Sequence, residues 1–169
     1  QTLWDDIFEF AFPDDNKDKF NKDEEYYLGP IVTFKNSDNK KEIIDGQQRL
    51  TTLMLLLRAF YSKFSNMKDE NSIQTRETIA RCIWKTDEFG KPDLNALKID
   101  SEVATDNDKD EFLKILRTGD AVGLKSRYAE NFRFFEKKIN EFLLGYSSYF
   151  PYLPIRILNN CILLPIEAE

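Results

Sequence analysis

The sequence predicts a mixed α/β domain in which a small sheet is surrounded by several helices. Two strand-like runs, residues 26–34 and 41–45, flank the turn Asn36-Ser37-Asp38-Asn39 and read as a hairpin. Two long segments, one starting at Gln47 and one over residues 125–144, repeat apolar residues at helical spacing. With 169 residues, 41% hydrophobic and 14% aromatic, the chain can bury a core and reads as one domain over residues 1–169.

Taken in order, Leu3, Trp4, Ile7, Phe8 and Phe12 recur at helical spacing with acidic residues between them. Residues 13–25 are charged and read as an exposed loop. Within the first strand, Gly29-Pro30 weakens the start or marks a bulge. The second strand delivers Asp45 to the sheet edge, where Gly46 permits a tight turn. Leu50, Leu53, Met54, Leu57, Phe60, Tyr61 and Phe64 then mark one helix face, and Leu55 and Leu56 widen it. Residues 65–75 read as a polar loop, and residues 78–84 fit strand and helix equally. Leu94, Leu97 and Ile99 alternate as in a strand ending at Asp100. A short helix is predicted over residues 106–116, ended by Thr118-Gly119-Asp120. Tyr128, Phe132, Phe135, Ile139, Phe142 and Leu143 line the inner side of the second long helix. Residues 155–166 read as a terminal hairpin turning at Asn159-Asn160.

Composition excludes several chemistries. The chain has no histidine, which removes Ser-His-Asp and Cys-His triads and histidine metal sites. A net charge of −6 argues against a generally basic, DNA-coating protein, though a local basic patch is compatible with it. Cys82 and Cys161 lie in apolar surroundings and read as two buried, reduced thiols, with a disulfide between them as the alternative. No run is long enough to span a bilayer and no secretion signal is visible, so a cytoplasmic protein is expected.

The stretch Asp45-Gly46-Gln47-Gln48-Arg49 carries the functional expectation. A strand, a glycine turn and a helix start in succession place free amides and a positive helix end together, and Arg49 adds a cation. Any one of these residues alone is better read as a turn, a cap or a surface side chain. Three long polar donors in the first turn of so apolar a helix are harder to explain by stability, and they point to a phosphate-bearing ligand.

Residues 45–53, Asp-Gly-Gln-Gln-Arg-Leu-Thr-Thr-Leu, resemble the signature segment of the DGQQR family, which includes the N-terminal part of GmrSD-like modification-dependent restriction enzymes and related phage-defence proteins. Tyr27-Leu28-Gly29-Pro30-Ile31-Val32, Leu3-Trp4-Asp5-Asp6-Ile7, the aromatic helix from Tyr128 to Phe135 and Leu164-Pro165-Ile166 resemble further family segments. The resemblance implies a ParB/sulfiredoxin-like fold whose Gly-x-x-Arg turn, matched by residues 46–49, binds nucleotide phosphates. It implies an NTP and Mg²⁺ as ligands. Gly46, Gln47, Gln48, Arg49, Thr51 and Thr52 are then the phosphate contacts, Gln48 orients water, and Asp45 holds Mg²⁺ or polarises a water. The family's flanking motifs are expected before Gln1 and after Glu169, so the chain reads as truncated at both ends. Cleavage is expected from a nuclease domain or subunit outside this chain, and assembly of several copies is compatible with the reading.

The resulting expectation is a nucleotide-binding, NTP-hydrolysing domain of a restriction or phage-defence protein, reaching DNA through the longer protein. The chief alternative is a non-enzymatic ParB-like module that grips DNA backbone phosphate with the same turn. A third is a scaffolding fragment that binds no phosphate. The acidic run Asp106-Asn107-Asp108-Lys109-Asp110-Glu111 lacks the glycine of a calcium loop and reads as a solvated helix start. Arg127, Arg133, Lys137 and Lys138 form a basic strip on one helix, and Tyr146, Tyr149, Phe150 and Tyr152 read as core or interface.

Overall fold

The computed structural model describes residues 2–99 and 106–168, and these divide into two compact units: Gln1–Thr51 with Tyr152–Glu169, and Thr52–Pro151. The mixed α/β class is as the sequence predicts.

The first unit is built on a three-stranded sheet. Its central strand β1 (Tyr26–Lys35) pairs antiparallel with β2 (Lys41–Asp45), so the expected hairpin is present. Asn36 closes the turn by accepting from the amides of Asp38 (2.9 Å) and Lys40 (3.0 Å). The other neighbour of β1 is β5 (Cys161–Glu167), which runs parallel to it, giving the order β2-β1-β5. Pairing with β5 slips between Tyr27 and Gly29, which is the bulge that Gly29-Pro30 foretells. Helix α1 (Leu3–Ala11) buries Trp4, Ile7 and Ala11, and starts with a reciprocal cap between Thr2 and Asp5.

The terminal hairpin expected over residues 155–166 is absent. A helix, α6 (Tyr152–Asn160), precedes β5 instead. Pro154 is tolerated because a first-turn residue needs no intrahelical N–H bond. Leu153, Pro154, Ile157 and Asn160 are the buried positions of one helix face. Asn160 is an anchor rather than a turn residue: its Nδ2 donates to the carbonyls of Lys22 (2.9 Å) and Glu24 (2.8 Å). Arg156 donates to the carbonyls of Ala11 (2.6 Å) and Lys17 (2.9 Å), and its guanidinium lies over the rings of Phe12, Phe20 and Tyr152.

The helix α2 (Gln47–Phe64) starts in the first unit, and its residues from Thr52 on belong to the second. Leu55, Leu56, Leu57, Ala59, Phe60 and Phe64 are buried, on more than one side of the helix, as its widened apolar face predicts. The loop expected over residues 65–75 is overturned by α3 (Glu70–Ile83). Asp69 caps it by accepting from the Ser72 amide (3.0 Å) and hydroxyl (2.9 Å), which holds the carboxyl below the usual carboxylate range. The buried face opens with Ser72 and Thr75 and becomes apolar only at Ile79, which hid the first two turns. A hairpin follows, β3 (Trp84–Thr86) with β4 (Pro92–Leu97); Asp100, the expected strand end, lies outside the described residues.

Helices α4 (Asp106–Thr118) and α5 (Arg127–Gly145) complete the second unit. Glu111 accepts from the amides of Lys125 and Ser126 (2.9 Å each), tying α4 to the start of α5. In the basic strip, Arg133 donates to the carbonyls of Ala121 (2.8 Å) and Leu124 (2.9 Å), so it braces the loop between these helices. Arg58 of α2 is buried; its Nε donates to the Leu116 carbonyl (2.9 Å) and its Nη1 to the Ser62 hydroxyl (2.8 Å). No helix among the described residues is long and apolar enough to cross a membrane.

Cys82 and Cys161 are both free and half-buried. Burial pushes the Cys161 thiol up to about 11 and raises that of Cys82 as well. Thiolate is the reactive form, so both should alkylate slowly at pH 8 in the native chain and quickly in urea. Mass spectrometry after a timed iodoacetamide pulse checks this; rapid native labelling of Cys161 would contradict its placement.

Candidate functional site

The candidate site forms where β2 ends and α2 starts. Asp45 is exposed at the end of the edge strand. Gly46 follows with φ +86°, a left-handed conformation that side chains resist. A Cβ there would stand 2.5 Å from the Pro30 carbonyl oxygen and 3.2 Å from the Ile31 Cα. Glycine is therefore required twice, once for the turn and once to let the corner close against β1.

The Gly46 carbonyl accepts from the Leu50 amide (3.1 Å), which makes Gly46 the cap of α2 and Gln47, Gln48 and Arg49 its first three residues. Amides at these positions have no intrahelical acceptor, and none is bonded to a protein acceptor among the described residues. The first turn of α2, like that of α6, carries no acidic residue, whereas Asp5 and Asp6 occupy that of α1, Glu70 that of α3 and Glu130 that of α5. Acids offset the positive end of a helix, and a cation adds to it. Here that end is left unbalanced and Arg49 increases the charge.

The side chains fall into two groups. Gln48 and Arg49 are exposed. Arg49 Nη1 donates to the Pro30 carbonyl (3.3 Å), and no ion pair engages its guanidinium among the described residues. The others face inward. Gln47 is half-buried and its Nε2 donates to the Ile43 carbonyl (2.5 Å), so its side chain ties the helix start to β2. Thr51 is buried and its hydroxyl donates to the Gln48 carbonyl (3.2 Å). Thr52 is half-buried and is the first residue of the second unit. Asp45, Gly46, Gln48 and Arg49 are thus the predicted residues that the fold gathers with their reactive groups uncommitted or weakly committed.

One neighbour escaped the sequence reading. Gly29, with φ +139°, lies under the Arg49 side chain: a Cβ on it would meet Nε at 2.5 Å, Cδ at 2.8 Å and Cζ at 3.0 Å. The signal was the Gly-Pro pair inside a strand, which announces a bulge but not what lies on it. No group of three or more histidine, cysteine, aspartate or glutamate side chains that could hold a metal occurs among the described residues.

Over residues 1–169 the chain matches the family described as GmrSD restriction endonuclease, N-terminal domain, in agreement with the resemblance drawn from residues 45–53. Comparison with curated proteins gives no match, and neither does comparison with solved structures.

Proposed function

Since this chain belongs to the N-terminal domain family of GmrSD restriction endonucleases, and is thus a restriction-system module, we propose that the corner at Gly46 binds the phosphates of a nucleoside triphosphate and supports its hydrolysis. One observation carries the reading: an exposed guanidinium without an ion-pair partner among the described residues sits on a helix start whose amides are free and whose first turn lacks acids. A protein gains nothing in stability from a cation at that end of a helix; a bound anion turns the same arrangement favourable.

In this reading the amides of Gln47, Gln48 and Arg49 receive phosphate oxygens, and Gly46 lets them approach. Arg49 supplies the charge-assisted bonds, which strengthen as negative charge builds on the transferred phosphoryl group. Gln47 contributes its amide while its side chain fixes the turn, and Thr51, bonded to the Gln48 carbonyl, holds the helix start in place. Gln48 is placed to orient a water. Asp45 would hold a Mg²⁺ ion, which supplies neutralisation of the phosphate charge when bound. Licensing of DNA cleavage by a nuclease outside this chain is the role such hydrolysis would serve.

Arg49→Ala is expected to weaken nucleotide binding by about ten- to a hundredfold, the worth of a charge-assisted bond of roughly 1.5–3 kcal/mol. Because the side chain is exposed, the melting temperature should barely move. Calorimetric titration with an NTP analogue and Mg²⁺, beside a thermal melt, checks both. Binding of DNA that ignores added nucleotide and falls steeply with salt would favour a backbone-phosphate grip instead.

A further inference from the structure

We infer that Gly29 is a positioning residue for the anion-binding guanidinium: its missing side chain is the seat in which Arg49 lies. The inference rests on the phosphate reading above and adds to it a residue of β1 that makes no ligand contact of its own. The Arg49 atoms Cδ, Nε and Cζ lie 2.8, 2.5 and 3.0 Å from where a Gly29 Cβ would be, so the side chain crosses the bare backbone at a distance no other residue type allows. Beyond the seat, Nη1 is held by the carbonyl of Pro30, the next residue. That same carbonyl closes against Gly46, where a Cβ would stand 2.5 Å from it. The Gly29-Pro30 segment is therefore flanked by the turn that presents the amides and by the arginine that supplies the charge.

A glycine in a strand weakens the strand, and one at φ +139° commits the position to glycine altogether. A bulge alone would explain the backbone, but it would not require a long exposed side chain to lie across it. An arginine on a surface helix loses much rotamer freedom when it takes hold of a ligand. One already laid in a seat has lost part of that freedom beforehand, and such preorganisation tightens binding without adding a contact. The consequence is a guanidinium held on β1, at Gly29 and the Pro30 carbonyl, the same carbonyl against which the Gly46 turn closes.

The test is a double-mutant cycle read by binding of inorganic triphosphate with Mg²⁺. Gly29→Ala is expected to weaken binding about tenfold when residue 49 is arginine and less than twofold in an Arg49→Lys background, because lysine keeps the charge but has no planar group for the seat. Backbone strain at position 29 is common to both backgrounds and cancels. Equal losses in the two backgrounds would overturn the inference. Should Gly29→Ala fail to fold, the unmodified chain still decides: a nuclear Overhauser effect between the Gly29 α protons and the Arg49 δ protons is expected, and its absence overturns the seat. A chain that shows this effect yet binds no triphosphate would keep the seat and remove the proposed function, so the two failures are distinguishable.

Discussion

Arg58→Ala is expected to destabilise the second unit by about 3–5 kcal/mol, summing a charge-assisted bond, ring stacking and the void left behind. Arg58 is 6% exposed, and burial holds its pKa below the ordinary arginine value, with Tyr61 acting in the opposite sense. It remains charged, since arginine does not lose its proton in proteins. What sustains the charge is geometry: Nε bonds the Leu116 carbonyl in the last turn of α4, where the helix dipole is negative, and the rings of Tyr61 and Trp84 lie 5.1 and 5.3 Å from the guanidinium carbon. Gly119, at φ +70°, leaves the space on the other side; a Cβ there would stand 2.6 Å from Nη2. Arg58→Lys should rescue only a small part of the loss, because an ammonium cannot bond Leu116 and Ser62 while stacking on two rings. A thermal melt decides: a fall of roughly 10 °C is expected for the alanine variant, and an unchanged midpoint would show that the network contributes nothing.

Arg156→Ala should cost the first unit about 2–4 kcal/mol. Its two terminal nitrogens bond the carbonyls of Ala11 and Lys17, so one side chain of α6 ties down the end of α1 and the irregular segment that follows. Three aromatic rings surround the guanidinium, Phe20 nearest at 4.3 Å. Without it the segment from Phe12 to Glu25 keeps the two Asn160 bonds and the Lys17 ammonium over the Tyr152 ring as ties to α6. Amides of residues 12–25 should then exchange with deuterium faster than in the unmodified chain, while those of α5 in the second unit keep their rates. Loss of protection throughout both units would indicate global unfolding, and no change would show the contacts to be incidental.

The part of the fold that carries the candidate site was readable because its signals are local. Asp45-Gly46 after a short alternating strand marks a turn, and the apolar spacing from Leu50 to Phe64 marks a helix whatever surrounds it. The failures came where tertiary context sets the pattern. Ser72 and Thr75 are buried polar residues on α3, so the first turns of that helix show no apolar stripe. The aliphatic run after Tyr152 suits strand and helix alike, and Asn159-Asn160 imitates a turn until Asn160 is seen bonding Lys22 and Glu24. Within the site, the residue types of the corner were legible, but not which side chains turn inward. The commitment of Gln47 to Ile43 and the placement of Arg49 over Gly29 depend on β1, which the local sequence around residue 47 does not contain.

Everything proposed for the corner depends on phosphate binding at the start of α2. Its most direct test is a titration of the isotope-labelled chain with a non-hydrolysable nucleoside triphosphate and Mg²⁺, followed at the backbone amides. The resonances of Gly46, Gln47, Gln48 and Arg49 are expected to shift first and furthest, and Arg49→Ala to suppress those shifts. Saturable nucleotide binding that leaves these four amides unmoved, or no binding at millimolar nucleotide, would contradict it.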